Sequence, residues 1–341
     1  GLQLHNGATV IAHERRLLST GSGGVSIHFV DTPYFPAKTF DLHQRWRVAD
    51  LTALRRYGAR RASSPFPAEP HPLPIVDRGS LVLVGGGGMP RGLLTRFVQL
   101  AGGRDASIVV IPISMPDPLP DKDGMARQLR RLGAGKVTVL RGRTPADADR
   151  VESLDALRTA TGIWFGGGRQ WRFVDAYEGT RAVKFMRDVL ARGGVIGGSS
   201  AGATIQGDYL ARGNPLGPDD IMAEGYEQGF AFLPGVAVDQ HFSQRRRQPD
   251  MAALMQRYPS FLGIGLDETT GLVVQGCLAE VVGEHRVHFY DAAATTSDAP
   301  RIVSARAGQW YDLVARRLVT PPEATANVPA GPDHLADASA Q

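Results

Sequence analysis

Between Gly79 and Gly194 the sequence alternates short apolar runs with amphipathic segments, and this alternation limits the possible folds more than any other feature. The apolar runs include SLVLV, ASIVVI, KVTVL and GIWF, and the segments between them include RGLLTRFVQL, GMARQLRRL and RAVKFMRDVLA. Strands that alternate with helices are typical of a parallel sheet covered by helices on both faces. We therefore predict an α/β fold, with two later strands in GVAVDQHF and FLGIGLDETTGLVV and a helix, PDMAALMQRY, between them.

The stretch VIGGSSAGAT, residues 195–204, follows one of these helices and ends a predicted strand. Within it, residues 198–202 fit the pattern Gly-x-Ser-x-Gly, a strand-to-helix turn that presents a nucleophile. Only small neighbours fit around such a turn, so the pattern predicts Ser200 as a nucleophile and the amide of Ala201 as an oxyanion donor. An ordinary loop between a strand and a helix is the alternative.

A serine nucleophile needs a base and a carboxylate that orients the base. His241 is the candidate base because it lies at the end of a predicted strand. The charged and polar residues around it, which are candidates for substrate binding, are Asp239, Gln240, Arg245 and Arg247. Asp267 and Glu268 close the strand FLGIGL, so either could orient the imidazole, although a helix cap or a surface turn also explains DETT.

Four motifs, GGGRQ, GGSSAGA, DQHFSQRRR and GIGLDETTGLVV, occur in this order, and together they resemble the serine peptidase family of cyanophycinase and aspartyl dipeptidase. The resemblance extends from about Gly79 to Leu313. It implies a three-layer parallel-sheet sandwich of the class I glutamine amidotransferase-like type, followed by a C-terminal β-hairpin region. It also implies Ser200 as nucleophile, His241 as general acid and base, and Glu268 as the third catalytic residue.

The same resemblance assigns Gln170 to the substrate pocket and a backbone amide near Gly168 to the oxyanion site. A glycine loop after the strand GIWF agrees with this role, because it lets backbone N–H groups approach a developing negative charge. The implied reaction is hydrolysis of cyanophycin, a polyaspartate that carries arginines, to β-Asp-Arg dipeptides, and it requires no metal or cofactor. The chain order Ser, His, Glu differs from that of lipases and esterases.

Two positions depart from the family pattern. An aspartate usually precedes the glutamine of the glycine loop, where this chain has Arg169, and an arginine is common where this chain has Asp250. Both positions concern substrate recognition more than the nucleophile. Peptidase chemistry is therefore predicted more firmly than cyanophycin as the substrate.

The remaining segments suggest a division of the chain into four parts. Residues 1–45 resemble residues 271–313, with the pattern His-Phe-x-Asp at 28–31 and again at 288–291, and are interpreted as a repeated hairpin segment or the tail of a preceding unit. A proline-rich linker is predicted over 46–78, the catalytic domain over 79–320, and a disordered tail over 321–341.

Composition excludes several classes of function. The chain has 38 basic and 34 acidic residues without a nucleic-acid-binding pattern, and it has no apolar run long enough to span a membrane, so neither nucleic acid nor membrane is a predicted partner. Its single cysteine, Cys277, excludes an internal disulfide and is interpreted as a small core residue. A cytoplasmic location is expected, with secretion left open because the chain starts with Gly1, and a homodimer is possible.

Three alternatives to a cyanophycinase-like enzyme remain. The first is an aspartyl or isoaspartyl dipeptidase with the same three catalytic residues. The second is a catalytically silent relative that binds acidic peptides through Arg245 and Arg247. The third, a nucleotide-binding protein prompted by GGGGMPRG, fits poorly, because the glycine spacing is wrong and no acidic residue closes the next strand.

Overall fold

The computed structural model describes residues 1–42, 47–63, 66, 72–293 and 299–322. Strands and helices alternate through the middle of the chain, as the sequence predicts. The strands are β1 (Leu2–Leu4), β2 (Ala8–His13), β3 (Arg16–Gly21), β4 (Val25–Phe29), β5 (Lys38–Leu42), β6 (Val48–Asp50), β7 (Val76–Val84), β8 (Ser107–Ile111), β9 (Lys136–Val139), β10 (Gly162–Phe165), β11 (Val195–Ser199), β12 (Gly207–Tyr209), β13 (Leu233–Asp239), β14 (Leu262–Leu266), β15 (Thr270–Gly276), β16 (Leu278–Gly283), β17 (Arg286–Asp291), β18 (Arg301–Arg306), β19 (Trp310–Asp312) and β20 (Arg317–Val319). The helices are α1 (Leu51–Arg61), α2 (Leu93–Leu100), α3 (Gly124–Arg131), α4 (Pro145–Ala148), α5 (Val151–Thr159), α6 (Trp171–Tyr177), α7 (Arg181–Ala191), α8 (Ala201–Thr204) and α9 (Gln248–Arg257).

A nine-stranded sheet forms the centre of the molecule. Its order is β20-β19-β16-β15-β7-β11-β10-β8-β9; the five strands from β7 to β9 are parallel, and the other four are antiparallel. One face packs on α2 and α3 and the other on α5, α6 and α7. Burial on both faces explains why the parallel strands are almost continuously apolar in sequence.

A second sheet, of order β12-β13-β14-β17-β18, lies beside the first. The run FLGIGLDETTGLVV, predicted as one strand, is divided between the two sheets, because β14 pairs with β13 whereas β15 pairs with β7. Residues 267–269 make the crossing, and Thr269 has a left-handed backbone with φ of 50°. The crossing places the end of β14 next to the ends of β7 and β11.

The segment before β7 departs from the predicted linker over 46–78. Strand β6 and helix α1 lie within that range, and β7 already begins at Val76. Helix α1 forms because the Asp50 side chain accepts a hydrogen bond from the amide of Ala53 at 2.9 Å and because Tyr57 is buried. The linker interpretation was wrong here because it extended the proline-rich composition of residues 63–74 back over an ordinary capped helix. Residues 64–65 and 67–71 of that stretch, and 323–341 of the predicted tail, lie outside the described residues.

The two segments predicted to be repeats pair their strands differently. Near the N-terminus β1 pairs with β4 and β2 with β3, whereas β15 forms a hairpin with β16. The similarity between the two segments is therefore limited to their sequences and does not extend to the pairing of their strands. A duplication of the segment stays a prediction.

The single cysteine lies in a turn and not in a strand. Gln275 pairs with Leu278, so Gly276, the last residue of β15, and Cys277 form the tight turn into β16, where Cys277 is half-buried. This corrects the interpretation of Cys277 as a core residue. Within the described ranges, none of the helices combines the length and the apolar character that crossing a bilayer requires.

Candidate active site

Ser200 lies at the tight turn between β11 and α8, as the Gly-x-Ser-x-Gly pattern predicts. Its backbone has φ of 56° and ψ of −116°, a conformation that L-residues rarely adopt. A Cβ at Gly198 would collide with the carbonyl of Gly202, and a Cβ at Gly202 would collide with the carbonyl of Phe165. The flanking glycines are therefore required for the turn that holds the Ser200 hydroxyl out at the carboxyl edge of the sheet.

Ser200, His241 and Glu268 form a continuous hydrogen-bonded chain. The distance from Ser200 Oγ to His241 Nε2 is 2.9 Å, and the distance from His241 Nδ1 to Glu268 Oε1 is 2.6 Å. The three side chains come from the ends of β11, β13 and β14, which belong to two different sheets. The arrangement fits a nucleophile, a base and an orienting carboxylate.

Asp267, the other carboxylate that the residue pattern left open, faces away from His241. Its Oδ1 accepts the amide N–H of Ser243 at 2.9 Å, and its Oδ2 lies 3.4 Å from Nε2 of His288. Glu268 is therefore the carboxylate that contacts the imidazole.

The glycine run at residues 85–88 contributes to the same site, although the sequence connected it only with nucleotide binding. The carbonyl of Gly85 accepts the amide N–H of His241 at 2.9 Å, and the carbonyl of Gly86 accepts that of Thr269 at 2.9 Å. A Cβ at Gly86, where φ is 92°, would collide with the His241 ring, and one at Gly87 would meet the Glu268 side chain. The glycine run therefore makes room for the His241 ring and the Glu268 carboxylate. The sequence could not show this role, because the three segments are close only in the folded chain.

Burial lowers the pKa of the His241 imidazole below its ordinary value of 6.5. The hydrogen bond to Glu268 opposes this effect, whereas the positive charges of Arg245 and Arg247 add to it. His241 is therefore neutral near pH 7, the form in which Nε2 is able to accept a proton.

We expect the acidic limb of kcat/KM against pH to lie below 6.5, because activity is lost only when His241 gains a proton. Replacing Arg245 with glutamine removes a nearby positive charge, so the limb should move to higher pH by a few tenths of a unit. Profiles between about pH 5 and pH 8 would measure this. Arg246→Gln is the control, because Arg246 is an exposed neighbour that does not contribute to the His241 shift. Equal shifts in both variants would contradict the assignment.

Two backbone segments lie close to the Ser200 side chain, its own turn and the glycine loop after β10. The amide of Ala201 lies in the turn itself and donates no backbone hydrogen bond within the described residues. In the glycine loop, a Cβ at Gly167 would lie 3.5 Å from the Ser200 Cβ, whereas Gly168 packs against the carbonyl of Ser114. Gly167 thus approaches Ser200 more closely than the predicted Gly168, although both belong to the same loop.

Asp239 and Arg247, predicted to bind substrate, are buried in an ion-pair network. Asp239 is 0% exposed and accepts hydrogen bonds from Arg212 Nε at 3.0 and 3.1 Å and from Arg247 Nη1 at 2.9 Å. Burial lowers the pKa of Arg247 to about 10, and its Nη1 also donates to the carbonyl of Gln240. Direct contact of Asp239 or Arg247 with substrate does not fit this burial. The network instead fixes the backbone next to His241.

Arg212, which the sequence did not single out, is the centre of this network. Its φ of 58° is unusual, and its Nη2 pairs with Asp250 Oδ2 at 2.6 Å. Burial disfavours its charge, but Asp239 and Asp250 outweigh that effect and raise its pKa. Asp250, noted as a departure from the family pattern, thus has a partner in Arg212.

Replacing Asp239 with alanine should lower the free energy of unfolding by about 3 to 5 kcal/mol, because Arg247 loses its carboxylate partner and Arg212 keeps only Asp250. Urea denaturation followed by circular dichroism measures the change. Asp105→Ala removes an exposed carboxylate and should change it by less than about 0.5 kcal/mol. A similar small loss in both variants would show that the network does not stabilise the fold.

The other predicted pocket residues lie around the serine at different depths. Gln240 is buried, with Oε1 3.4 Å from Ser200 Oγ. Gln170 is also buried, and its Nε2 donates to the carbonyl of Ala211 at 2.6 Å, so the side chain braces a neighbouring loop. Arg245 is exposed one turn after His241. Of the predicted binding residues, Arg245 is the cation that a substrate could reach.

Comparison with known proteins places these residues in context. The model of peptidase family S51 matches residues 81–282. A cyanophycinase of Synechococcus elongatus is 35% identical over 187 residues, which cover 53% of this chain and 56% of that protein. A cyanophycinase of Geminocystis herdmanii is 30% identical over 224 residues, which cover 64% of this chain and 82% of that protein. The chain thus spans little more than half the length of the first of these relatives.

A solved structure shares the fold. A peptidase from an acI-B1 actinobacterium superposes with a TM-score of 0.53 at 23% sequence identity, covering 69% of this chain and 97% of that structure. At this identity the superposition supports a common fold and nothing more specific.

Proposed function

Because the chain belongs to peptidase family S51, we propose that it is a serine hydrolase that cleaves aspartyl peptide bonds through an acyl-enzyme. The observation that carries the proposal is the hydrogen-bonded chain from Ser200 through His241 to Glu268. We also propose that the fold is a three-layer sandwich of the class I glutamine amidotransferase-like type with a C-terminal β-hairpin region. A homodimer and a cytoplasmic location stay predictions from the sequence.

In the first half of the proposed reaction, Ser200 Oγ attacks the carbonyl carbon of an aspartyl residue while His241 Nε2 takes the hydroxyl proton. Glu268 accepts a hydrogen bond from Nδ1 and stabilises the imidazolium. The negative oxygen of the tetrahedral intermediate accepts hydrogen bonds from the amide of Ala201 and from the Gly167–Gly168 loop. The carbon–nitrogen bond then breaks, and His241 gives its proton to the leaving amine.

Water completes the cycle in the second half. His241 takes a proton from the water as its oxygen attacks the acyl carbon, and the bond to Ser200 Oγ breaks. The proton returns to Ser200 from His241, so the enzyme ends in its starting form and the acid product leaves.

Two substrates are consistent with this chemistry. Cyanophycin is one, since the relatives reported above are named cyanophycinases, and release of β-Asp-Arg dipeptides would make this chain an exopeptidase. Aspartyl or isoaspartyl dipeptides are the second, and Arg169 favours them, because its cationic side chain beside the glycine loop suits a free carboxylate better than an arginine.

Incubation with insoluble cyanophycin and, separately, with α-Asp and β-Asp dipeptides tests the proposal. Clearing of the polymer with release of β-Asp-Arg supports a cyanophycinase, and cleavage of dipeptides alone supports the dipeptidase. Absence of any cleavage, together with failure of a fluorophosphonate probe to label Ser200, would reject a serine hydrolase and leave a silent relative that binds acidic peptides.

A further inference from the structure

Arg169 and Arg172 follow directly on the glycine loop that faces Ser200. Arg169 Nη2 donates to the carbonyl of Asn214, and Arg172 Nη1 donates to the carbonyl of Ser114 at 2.8 Å. The carbonyl of Ser114 is the group against which Gly168 packs. Both guanidinium groups are thus held by backbone carbonyls, that of Arg172 by the carbonyl on which the glycine loop packs, and both residues are half-buried, so part of each remains open to solvent.

Neither arginine has a carboxylate partner within 4.0 Å in the described part of the chain. Their neighbours do: Arg143 Nε pairs with Asp117 at 2.8 Å, and Arg15 pairs with Asp50 and Asp175. The Nε atom of Arg169 is buried and has no hydrogen-bond partner. Two positive charges that follow the glycine loop in the chain are therefore left without an ion pair in the described residues.

The electrostatics of the two groups agree with this description. Burial lowers the pKa of Arg169, and Asp219 offsets only part of that effect. Burial also lowers the pKa of Arg172, and repulsion from Arg143, Arg169 and Arg15 lowers it further, with Asp117 opposing. An anion placed between the two guanidinium groups would relieve this repulsion.

We propose that Arg169 and Arg172 form a carboxylate-binding subsite next to Ser200. Guanidinium groups bind carboxylates through paired, charge-assisted hydrogen bonds, so the subsite selects substrates with a free acidic group close to the scissile aspartyl bond. An amide at that place is bound less well, and a guanidinium is repelled. The inference rests on the proposed function, because it names the class of aspartyl substrate that this site accepts.

Binding to the Ser200→Ala protein tests the subsite without requiring turnover. The probes are three N-acetylated, C-amidated tripeptides, one made of aspartate, one of asparagine and one of arginine. The affinity of each is measured by isothermal titration calorimetry. We expect the aspartate peptide to bind at least about 10-fold more tightly than the asparagine peptide, with the difference reduced at high salt. The arginine peptide should bind most weakly.

Substitutions at Arg169 identify the source of the preference. In the Ser200→Ala background, Arg169→Asp should reverse the order of the aspartate and arginine peptides, whereas Arg169→Lys should keep it. Arg104→Asp is the matched control, since Arg104 is exposed before β8, at the opposite edge of the sheet, and the charge change is the same. If circular dichroism shows that Arg169→Asp is unfolded, Arg169→Gln replaces it and should remove the preference instead of reversing it.

Equal binding of the aspartate and asparagine peptides would overturn the subsite. Equal effects of Arg104→Asp and Arg169→Asp would also overturn it, because net charge alone would then explain the preference. Failure of the proposed function has a different signature, namely a wild-type protein whose Ser200 resists the fluorophosphonate probe. A labelled Ser200 without any peptide preference would leave the hydrolase standing and reject only the subsite.

Discussion

Replacing Ser200 with alanine should lower kcat on the best substrate by about 10⁴- to 10⁶-fold, because the acyl-enzyme can no longer form. The hydroxyl lies 2.9 Å from the imidazole nitrogen that would take its proton, and among the described residues no other side chain is hydrogen-bonded to that nitrogen. Substrate binding should change little, since the substitution removes one oxygen. Initial rates over a range of substrate concentrations, with binding measured separately by calorimetry, check both expectations.

Ser199 provides the matched control for this prediction. It precedes Ser200 in the chain, is also partly exposed, and ends β11, where it pairs with Val84. Its hydroxyl is not hydrogen-bonded to His241, so Ser199→Ala should retain activity to within about 10-fold. If the two alanine variants lost activity equally, damage to the turn would explain the result and the nucleophile would lie elsewhere.

Replacing Glu268 with glutamine should lower kcat by about 10²- to 10⁴-fold while leaving the fold intact. The carboxylate accepts the Nδ1 hydrogen at 2.6 Å, which keeps the lone pair on Nε2 pointed at Ser200. Glutamine can donate its amide hydrogen to Nδ1 instead, which favours the wrong tautomer. The loss of the negative charge also lowers the pKa of His241 further, since Glu268 opposes the effect of burial.

The Glu268→Gln variant therefore has a two-part signature, a lower maximum rate and an acidic limb moved to lower pH. Glu284→Gln is the control, because Glu284 accepts a hydrogen bond from Thr269 Oγ1 at 3.2 Å without touching the imidazole. Its rate and pH profile should match those of the wild type. A large loss of rate in Glu268→Gln with an acidic limb moved to higher pH would contradict the assigned role of the carboxylate.

The sequence by itself predicted what is encoded over short distances. The alternation of strands and helices, the tight turn at Ser200 and the positions of His241 and Glu268 at strand ends follow from periodicity and from small residues beside one another in the chain. These signals depend on residues that are adjacent in the sequence, so they can be recognised without knowing which segments pack together in the fold.

Contacts between distant segments were decided only by the tertiary structure. The division of β14 and β15 between two sheets, the turning of Asp267 away from His241, and the pairing of Asp239 with Arg212 each join residues that the chain order does not relate. The sequence does not distinguish a charged side chain that faces solvent from one that pairs with a buried counter-ion. The difference depends on which groups the fold buries beside that side chain. For this reason the sequence indicated the candidate catalytic residues, and the tertiary structure alone determined which charged side chains are buried in ion pairs.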